Sequence, residues 1–227
     1  MIVAIDGPAG SGKSTTARRV AERLGWLYLD TGAMYRAIGL AFVDAGLPFT
    51  DEAAQAVAGR AEVDLRPAPG GARVLLDGAD VTDRVRSPEA ALAASRVAAL
   101  GPVREAMVAG QRRLAARATA EGSGAVIEGR DIGTVVFPGA EVKVFIDARL
   151  DTRARRRHAE LAARSDDSLS LEDVAADLAD RDDRDRDRAL APLRPAEDAV
   201  VLDTTALSVD EQVERVLALV NAARAHA

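Results

Sequence analysis

Short apolar runs alternate with amphipathic segments along most of the chain. Residues 2–5 form a continuous apolar run, and residues 13–24 repeat apolar side chains at helical spacing. Continuous apolar runs bounded by turn residues are typical of strands buried in a parallel sheet. The same patterns predict strands at residues 26–29, 125–128, 142–147 and 200–203, and helices at residues 31–45, 51–60, 88–100, 102–120, 151–163, 171–188 and 208–225. Strands that alternate with helices indicate an α/β fold with a parallel sheet and helices on both faces.

One segment, residues 63–81, departs from this pattern. It consists of short β-type pieces separated by turn residues, which are Pro67, Pro69, Gly70, Gly71 and Gly78. Short strands joined by such residues predict a small antiparallel sheet. Because the α/β pattern resumes after Gly124, we interpret the segment as an insertion within a single domain that spans residues 1–227.

The composition excludes several classes of protein. Of the 227 residues, 48% are hydrophobic and 29% are charged, which is typical of a globular chain. There is no cysteine, and His158 and His226 are the two histidines. Thiolate zinc sites, iron–sulfur clusters, cysteine nucleophiles and histidine-rich metal centres are therefore excluded. No apolar run approaches the roughly 18 residues of a membrane span, and no signal peptide is evident, so we expect a cytoplasmic protein without a membrane partner.

The chain is acidic, and nearly all of its basic residues are arginine. The net charge is −6, and an acidic chain is poorly suited to non-specific nucleic-acid binding, so we expect no nucleic-acid partner. Lys13 and Lys143 are the two lysines among 30 basic residues. A codon bias explains the excess of arginine. A lysine retained at a particular position then calls for a physical reason.

Residues 7–14 fit the phosphate-loop pattern G-x-x-x-x-G-K-[ST] between a predicted strand and a predicted helix. Glycines let backbone N–H groups converge on phosphate oxygens, and the following helix adds the positive end of its dipole. We expect Lys13 to reach the β- and γ-phosphates of ATP and Ser14 to bind Mg²⁺. The candidate nucleotide-binding residues are Gly7, Pro8, Ala9, Gly10, Ser11, Gly12, Lys13, Ser14 and Thr15.

The loop alone leaves the type of nucleotide-binding protein open. Switch GTPases, motor ATPases and kinases of small molecules all use it. The N-K-x-D motif that reads guanine is absent, since Asn221 is the one asparagine. A GTPase is therefore disfavoured.

Residues 181–188 alternate between arginine and aspartate. At about 100° per residue, Arg181, Arg184 and Arg188 lie within about 60° of one another, with Asp185 beside them. Guanidinium groups on one stripe bind phosphate through paired N–H donors. The alternative is a solvated helix with ion pairs four residues apart. Three arginines of the preceding predicted helix form either a second phosphate-binding set or a solvated face: Arg153, Arg156 and Arg157.

Polar residues also follow two further predicted strands. Thr31 is placed to cap the next helix, and Tyr35 lies one turn further on the same face. The loop at residues 129–133 places Arg130 and Asp131 at the carboxyl end of a strand, where parallel sheets bind ligands. The structural alternatives are a plain capped helix and a tight loop with a surface ion pair.

Five blocks occur in order along the chain, namely IDGPAGSGKST, LDTGAMYR, AASRVAALGPVRE, EGRDIGTVVFP and RDDRDRDRALAPL. Through these blocks the chain resembles the bacterial cytidylate kinases over nearly its whole length. The resemblance implies a P-loop nucleoside monophosphate kinase fold, with an insertion that binds the nucleoside monophosphate near residues 62–100 and a lid near residues 151–170. It also implies that ATP, with Mg²⁺, phosphorylates CMP or dCMP.

The resemblance implies a role for each matching residue. The residues that match the acceptor-nucleotide site are Thr31, Tyr35, Arg36 and Arg130. Those that match the cytosine-reading residues are Ser95, Arg104 and Asp131. Two phosphate-side arginines and a sugar contact are matched by Arg181, Arg188 and Asp185. The candidate catalytic residues are Lys13, Arg130, Arg181 and Arg188.

Two further positions concern the ATP side. We assign Arg184, on the predicted arginine stripe, to nucleotide binding. Glu128 stands where family members often have aspartate. Its additional methylene changes the geometry with which a carboxylate here would place Mg²⁺ through water.

The predicted reaction is phosphoryl transfer from ATP to CMP or dCMP. A kinase for another acceptor, such as UMP, is the nearest alternative. A nucleotide-dependent switch or assembly ATPase is an alternative of a different class. Nothing in the sequence indicates an obligate oligomer, so we expect a monomer.

Overall fold

The computed structural model describes residues 1–68, 71–163 and 169–225. Its strands are β1 (Ile2–Asp6), β2 (Leu27–Asp30), β3 (Val63–Ala68), β4 (Gly71–Leu76), β5 (Ala79–Asp80), β6 (Ala125–Gly129), β7 (Val142–Asp147) and β8 (Val200–Asp203). Its α-helices are α1 (Lys13–Leu24), α2 (Thr31–Asp44), α3 (Asp51–Ala58), α4 (Pro88–Val97), α5 (Gly101–Ala120), α6 (Leu150–Ala162), α7 (Leu171–Arg186) and α8 (Val209–Ala225). Five strands belong to a parallel sheet and three to a small antiparallel sheet. The predicted α/β fold with a small β-containing insertion is confirmed.

The chain divides into two compact units. Unit 1 comprises residues 1–2 and 21–129, and unit 2 comprises residues 3–20 and 130–227. The predicted lid includes residues 164–168 and the predicted insertion includes residues 69–70; both segments lie outside the described residues.

In unit 1, strands β2 and β6 pair in parallel, with Asp30 opposite Glu128 at their carboxyl ends. Helix α2 packs closely on helix α4, because Gly39 has no side chain and lets the two backbones approach. A Cβ atom on Gly39 would lie 2.8 Å from the Cβ atom of Ala93 and 2.9 Å from the backbone nitrogen of Ala94.

In unit 2, strand β7 pairs in parallel with β1 and with β8. Helix α7 packs on α6 through buried Ala154, Val174 and Leu178. It begins with a capping box, in which Ser170 and Asp173 bind each other's backbone N–H groups. These contacts order the segment that carries the arginine stripe.

Helix α7 ends at Arg186, two residues before the predicted end. The backbone N–H of Leu193 donates to the carbonyl oxygen of Asp185 at 2.8 Å. The chain after α7 therefore returns to the last turn of the helix, where Leu193 contacts Asp185. Among the described residues, no helix is long and apolar enough to cross a bilayer.

Candidate functional site

The predicted phosphate loop joins β1 to α1 in unit 2. Gly7 has a φ of +151°, and a Cβ atom there would lie 2.0 Å from the carbonyl oxygen of Ile146. Gly10 has a φ of +72°, and its Cβ atom would lie 3.1 Å from the carbonyl oxygen of Arg153. Both positions therefore require glycine, because the backbone conformation and the neighbouring main chain leave no place for a side chain.

Several carbonyl oxygens of the loop accept hydrogen bonds from side chains. Arg153 donates to the oxygen of Ala9 at 3.2 Å, and the hydroxyl of Thr204 donates to that of Ser11 at 2.9 Å. Because a peptide group is planar, the N–H after each carbonyl points the opposite way. Carbonyl groups turned outward in this manner leave amide hydrogens for an anion on the inner side.

Lys13 is the first residue of α1 and is buried, and its ammonium donates to the carbonyl oxygen of Pro8 at 3.2 Å. The hydroxyl of Ser11 donates to the same oxygen at 3.0 Å. Ser14 follows Lys13 and is exposed in the first turn of the helix. Mg²⁺ bound with a nucleotide keeps several waters and takes phosphate oxygens, so one exposed hydroxyl suits it as a protein ligand.

In unit 2, Asp185 interacts with three predicted arginines of the site, the acceptor-side Arg130 and the phosphate-side Arg181 and Arg188. Its carboxylate lies 2.8 Å from Nε of Arg130 and 3.2 Å from Nη2 of Arg188. Burial alone would raise the pKa of Asp185, but the charges of Arg130, Arg188 and Arg181 hold that pKa below its ordinary value. The ionised carboxylate thus anchors guanidinium groups that come from two separate parts of the chain.

The other arginines of the 181–188 segment are placed differently. Arg184 is exposed, and its Nε donates to the carbonyl oxygen of Asp180 at 3.1 Å. Arg186 is exposed and pairs with Asp183 at 3.4 Å. Arg188 lies just beyond α7, yet it remains beside Asp185, as the helical spacing predicted. The role of Arg184 in nucleotide binding stays a prediction.

The three arginines of α6 that were predicted to act together, Arg153, Arg156 and Arg157, have different partners. Arg153 is 4% exposed and pairs with buried Asp182 at 2.7 Å. Arg156 donates to the carbonyl oxygen of Thr204 at 2.6 Å, and burial lowers its pKa. Arg157 pairs with exposed Glu160 at 3.2 Å. Arg153 and Arg156 support the phosphate loop through hydrogen bonds to its carbonyl oxygens. The spacing of residues along one helix could not predict these partners, which are distant in the sequence.

On the acceptor side, in unit 1, Asp30 and not Thr31 caps α2. The carboxylate of Asp30 accepts from the backbone N–H of Ala33 at 2.9 Å and pairs with Arg36 at 3.0 Å. Thr31 is already helical, and its hydroxyl donates to the carbonyl oxygen of Glu128 at 2.7 Å. The capping prediction was wrong because β2 ends one residue later than expected, which puts extended backbone at Asp30.

Glu128, at the end of β6, is 2% exposed. The phenol of Tyr28 donates a hydrogen bond to Oε1 of Glu128. Burial and the carboxylates of Glu128 and Asp30 raise the pKa of Tyr28 well above its ordinary value, so the phenol stays protonated. Sequence reasoning missed Tyr28. It lies between two leucines in a short strand, and that pattern is typical of any strand.

The remaining acceptor residues lie on three helices and one loop. In unit 1, Tyr35 is half-buried in α2, Ser95 is half-buried in α4 and Arg104 is buried in α5. In unit 2, Asp131 is buried after β6. Among these side chains are both donors and acceptors of hydrogen bonds, the groups that a nucleotide base requires; the role of each residue stays a prediction.

The loop predicted at residues 129–133 continues into one turn of π-helix, Ile132–Val136. The buried carboxylate of Asp6 accepts hydrogen bonds from the backbone N–H groups of Ile132 at 2.9 Å and Gly133 at 2.8 Å. Sequence reasoning assigned no role to Asp6. Its position at the end of β1, directly before the phosphate loop, was the available signal.

Comparisons with known proteins agree with the resemblance. A family model described as "Cytidylate kinase" matches residues 3–222. A protein named cytidylate kinase from Salinibacter ruber is 49% identical over 222 residues, which is 98% of this chain and 97% of that protein. A protein of the same name from Geobacillus kaustophilus is 50% identical over 220 residues, which is 96% of each chain.

A solved structure of an uncharacterised protein from Eubacterium ventriosum is similar in fold. The TM-score is 0.50 at 12% identity, and the match covers 97% of this chain and 98% of that chain. At such low identity the likeness concerns the fold alone.

Proposed function

This chain belongs to the cytidylate kinase family, and we propose on that basis that it transfers the γ-phosphoryl group of ATP to CMP or dCMP. The products are ADP and CDP or dCDP. The observation that carries this proposal is the family match over residues 3–222, which spans every residue of the phosphate side and the acceptor side. The phosphate loop supports the type of reaction, since it is built to hold a triphosphate.

The phosphate loop and Lys13 bind the triphosphate of ATP. Backbone N–H groups and the N-terminus of α1 neutralise the phosphate oxygens, and the Lys13 ammonium contacts the β- and γ-phosphates. The Ser14 hydroxyl would hold Mg²⁺, which supplies further positive charge when bound. Lys13 then stabilises the charge on the phosphoryl group in the transition state.

Arg130, Arg181 and Arg188 serve the transferring group and the acceptor phosphate. Asp185 holds Arg130 and Arg188 through ion pairs of 2.8 Å and 3.2 Å, so these guanidinium groups are ordered before substrate arrives. Ordered donors stabilise developing charge without reorganisation. The acceptor phosphate is already an anion, so the proposal includes no general base.

The acceptor nucleotide is held by Thr31, Tyr35 and Arg36, with the phosphate on Arg130. Cytosine presents an amino donor at position 4 and acceptors at N3 and O2. Asp131 and Ser95 can accept from the amino group, and Arg104 can donate to the ring acceptors. Uracil reverses the pattern at position 4 and N3, so this set of residues favours cytosine.

The test is a panel of nucleoside monophosphates with ATP, in which ADP and nucleoside diphosphate are both quantified. We expect ADP and CDP in equal amounts with CMP, a similar result with dCMP, and much slower reaction with UMP. Preferred use of UMP would contradict the substrate assignment. Slow release of free phosphate without a diphosphate product would indicate a switch or assembly ATPase.

The proposal extends to the organisation of the protein. The insertion near residues 62–100 contributes to the acceptor site, and the lid near residues 151–170 closes over ATP. The enzyme works as a cytoplasmic monomer without nucleic acid. Light scattering at assay concentration checks the oligomeric state, and a stable dimer would contradict this part.

A further inference from the structure

Asp6 places a buried carboxylate between two parts of unit 2. It is the last residue of β1 and is 4% exposed, and the phosphate loop begins at the next residue. Oδ1 accepts from the N–H of Ile132 at 2.9 Å, and Oδ2 accepts from the N–H of Gly133 at 2.8 Å. A carboxylate that accepts two consecutive backbone N–H groups fixes the orientation of the peptide planes that carry them.

Those two N–H groups directly follow Arg130 and Asp131. The side chain of Lys143, from β7, packs beside Asp6 against Gly133, because a Cβ atom on Gly133 would lie 3.2 Å from Cδ of Lys143 and 3.5 Å from Oδ2 of Asp6. The Lys143 ammonium donates to the carbonyl oxygen of Pro138 and pairs with Asp198 at 2.7 Å. Asp6 and the aliphatic stem of Lys143 therefore both pack against the segment that follows Arg130 and Asp131.

We propose that Asp6 is a positioning residue, whose carboxylate holds the backbone after Arg130 and Asp131 and thereby orients these two side chains toward the acceptor nucleotide. This inference rests on the proposed function, which gives Arg130 and Asp131 their roles. In this role Asp6 acts through the backbone and not by contact with either substrate.

The ionisation state of Asp6 matters for this role. Burial raises its pKa to about 6, although the hydrogen bonds from Gly133 and Ile132 lower it; the charge of Asp131 raises it and that of Arg130 lowers it. Lys143 approaches through its aliphatic stem, while its ammonium is paired with Asp198. A protonated Asp6 would direct an O–H donor at a backbone N–H donor, so one of the two hydrogen bonds would be lost as the pH falls below about 6.

The direct test is the pH dependence of the amide proton shifts of Ile132 and Gly133 in the protein without substrates. We expect both shifts to change with one midpoint near pH 6 in the wild type, and this midpoint to be absent in Asp6→Asn. Asp203→Asn is the matched control, because Asp203 also ends a strand and accepts from a nearby backbone N–H, but it is exposed. It should leave the midpoint unchanged. Shifts without a common midpoint in the wild type, or a midpoint that persists in Asp6→Asn, would overturn the inference.

Steady-state kinetics supply the functional readout. We expect Asp6→Asn at pH 7.5 to lower kcat/KM for CMP at least tenfold, while KM for ATP changes less than about twofold. An equal rise of KM for ATP would overturn the inference, because Asp6 would then support the phosphate loop instead. Since the phosphate of CMP itself titrates near pH 6, the acid limb of the rate is read as the difference between wild type and variant. A wild type that shows the amide midpoint but makes no CDP would refute the proposed function and retain the backbone contact.

Discussion

Helix α7 carries two buried aspartates three residues apart, and their surroundings differ. Asp182 is 2% exposed and pairs with Arg153 of α6 at 2.7 Å. Asp185 is 6% exposed and pairs with Arg130 and Arg188, which come from the loop after β6 and from beyond the helix. Arg153 in turn donates to the carbonyl oxygens of Ala148 and Ala9, so the first pair joins two helices to the phosphate loop.

The difference separates an ion pair that joins helices from one that, in the proposed function, prepares a binding site for phosphate. At Asp182, the guanidinium of Arg153 contacts two main-chain carbonyls and one carboxylate. At Asp185, one carboxylate orders two arginines and lies within the field of a third, Arg181. The composition of the helix is the same in both cases, and the partners from other elements distinguish the two aspartates.

Replacement of Arg153 should have the largest effect on stability. Arg153→Ala removes the nearer partner of the buried Asp182 carboxylate and leaves Arg186 at 3.7 Å, so we expect the free energy of unfolding to fall by about 3–5 kcal/mol. Urea denaturation measures this. Arg155→Ala, which breaks an exposed ion pair with Asp151, is the control and should cost less than about 1 kcal/mol. A loss at position 153 as small as that at position 155 would mean that the Asp182 pair does not hold the helices.

The second prediction concerns the arginines beside Asp185. Arg181→Ala and Arg188→Ala should each lower kcat/KM by roughly 10²-fold, about 2.7 kcal/mol, because a charged contact with phosphate is lost in the transition state. Arg186→Ala is the matched control on the same helix. Arg186 is exposed, and its change should be nearly neutral. Equal effects at all three positions would indicate a solvated charged helix with no separate binding face.

A smaller effect should distinguish base recognition from support of Arg130. Asp131→Asn supplies an amide that can donate to O4 of uracil, so we expect CMP use to fall and the ratio of kcat/KM for CMP over UMP to narrow by about tenfold, which is 1.4 kcal/mol. Arg104→Ala, measured with both nucleotides, tests the proposed donor to the ring acceptors of cytosine. If Asp131→Asn lowers both substrates equally, Asp131 positions Arg130 and belongs with the Asp185 cluster.

Local sequence patterns were sufficient for most of the fold. Helix α1 and the strands β7 and β8 have the predicted bounds, since glycine, proline and charged residues mark their ends. The end of α7 was misplaced because the charged pattern continues through Arg188. The hydrogen bond from Leu193 to the carbonyl oxygen of Asp185 comes from beyond the helix, and the charge pattern does not reveal it. The cap of α2 was misplaced by one residue for a similar reason, since Asp30 and Thr31 are both good capping residues.

In the candidate site too, local contacts were predicted and contacts between distant segments were not. The helical spacing predicted the proximity of Arg188 to Asp185. It carried no signal for Arg130, which lies 55 residues before Asp185 in the chain. The structure also supplies a reason for Lys143, whose long stem passes Gly133 before its ammonium pairs with Asp198. Such contacts arise from the topology of the sheet, which places the ends of distant segments together.

The most direct test of the central claim, that transfer takes place at the phosphate loop, is CDP formation by Lys13→Ala measured together with its thermal melt. Lys13 contacts the triphosphate in this account, and its loss removes several kcal/mol of transition-state stabilisation, on the order of 10³-fold in rate. We expect a folded variant, with a melting temperature close to that of the wild type, that makes almost no CDP. A folded Lys13→Ala variant that retains more than about a tenth of wild-type turnover would contradict the account.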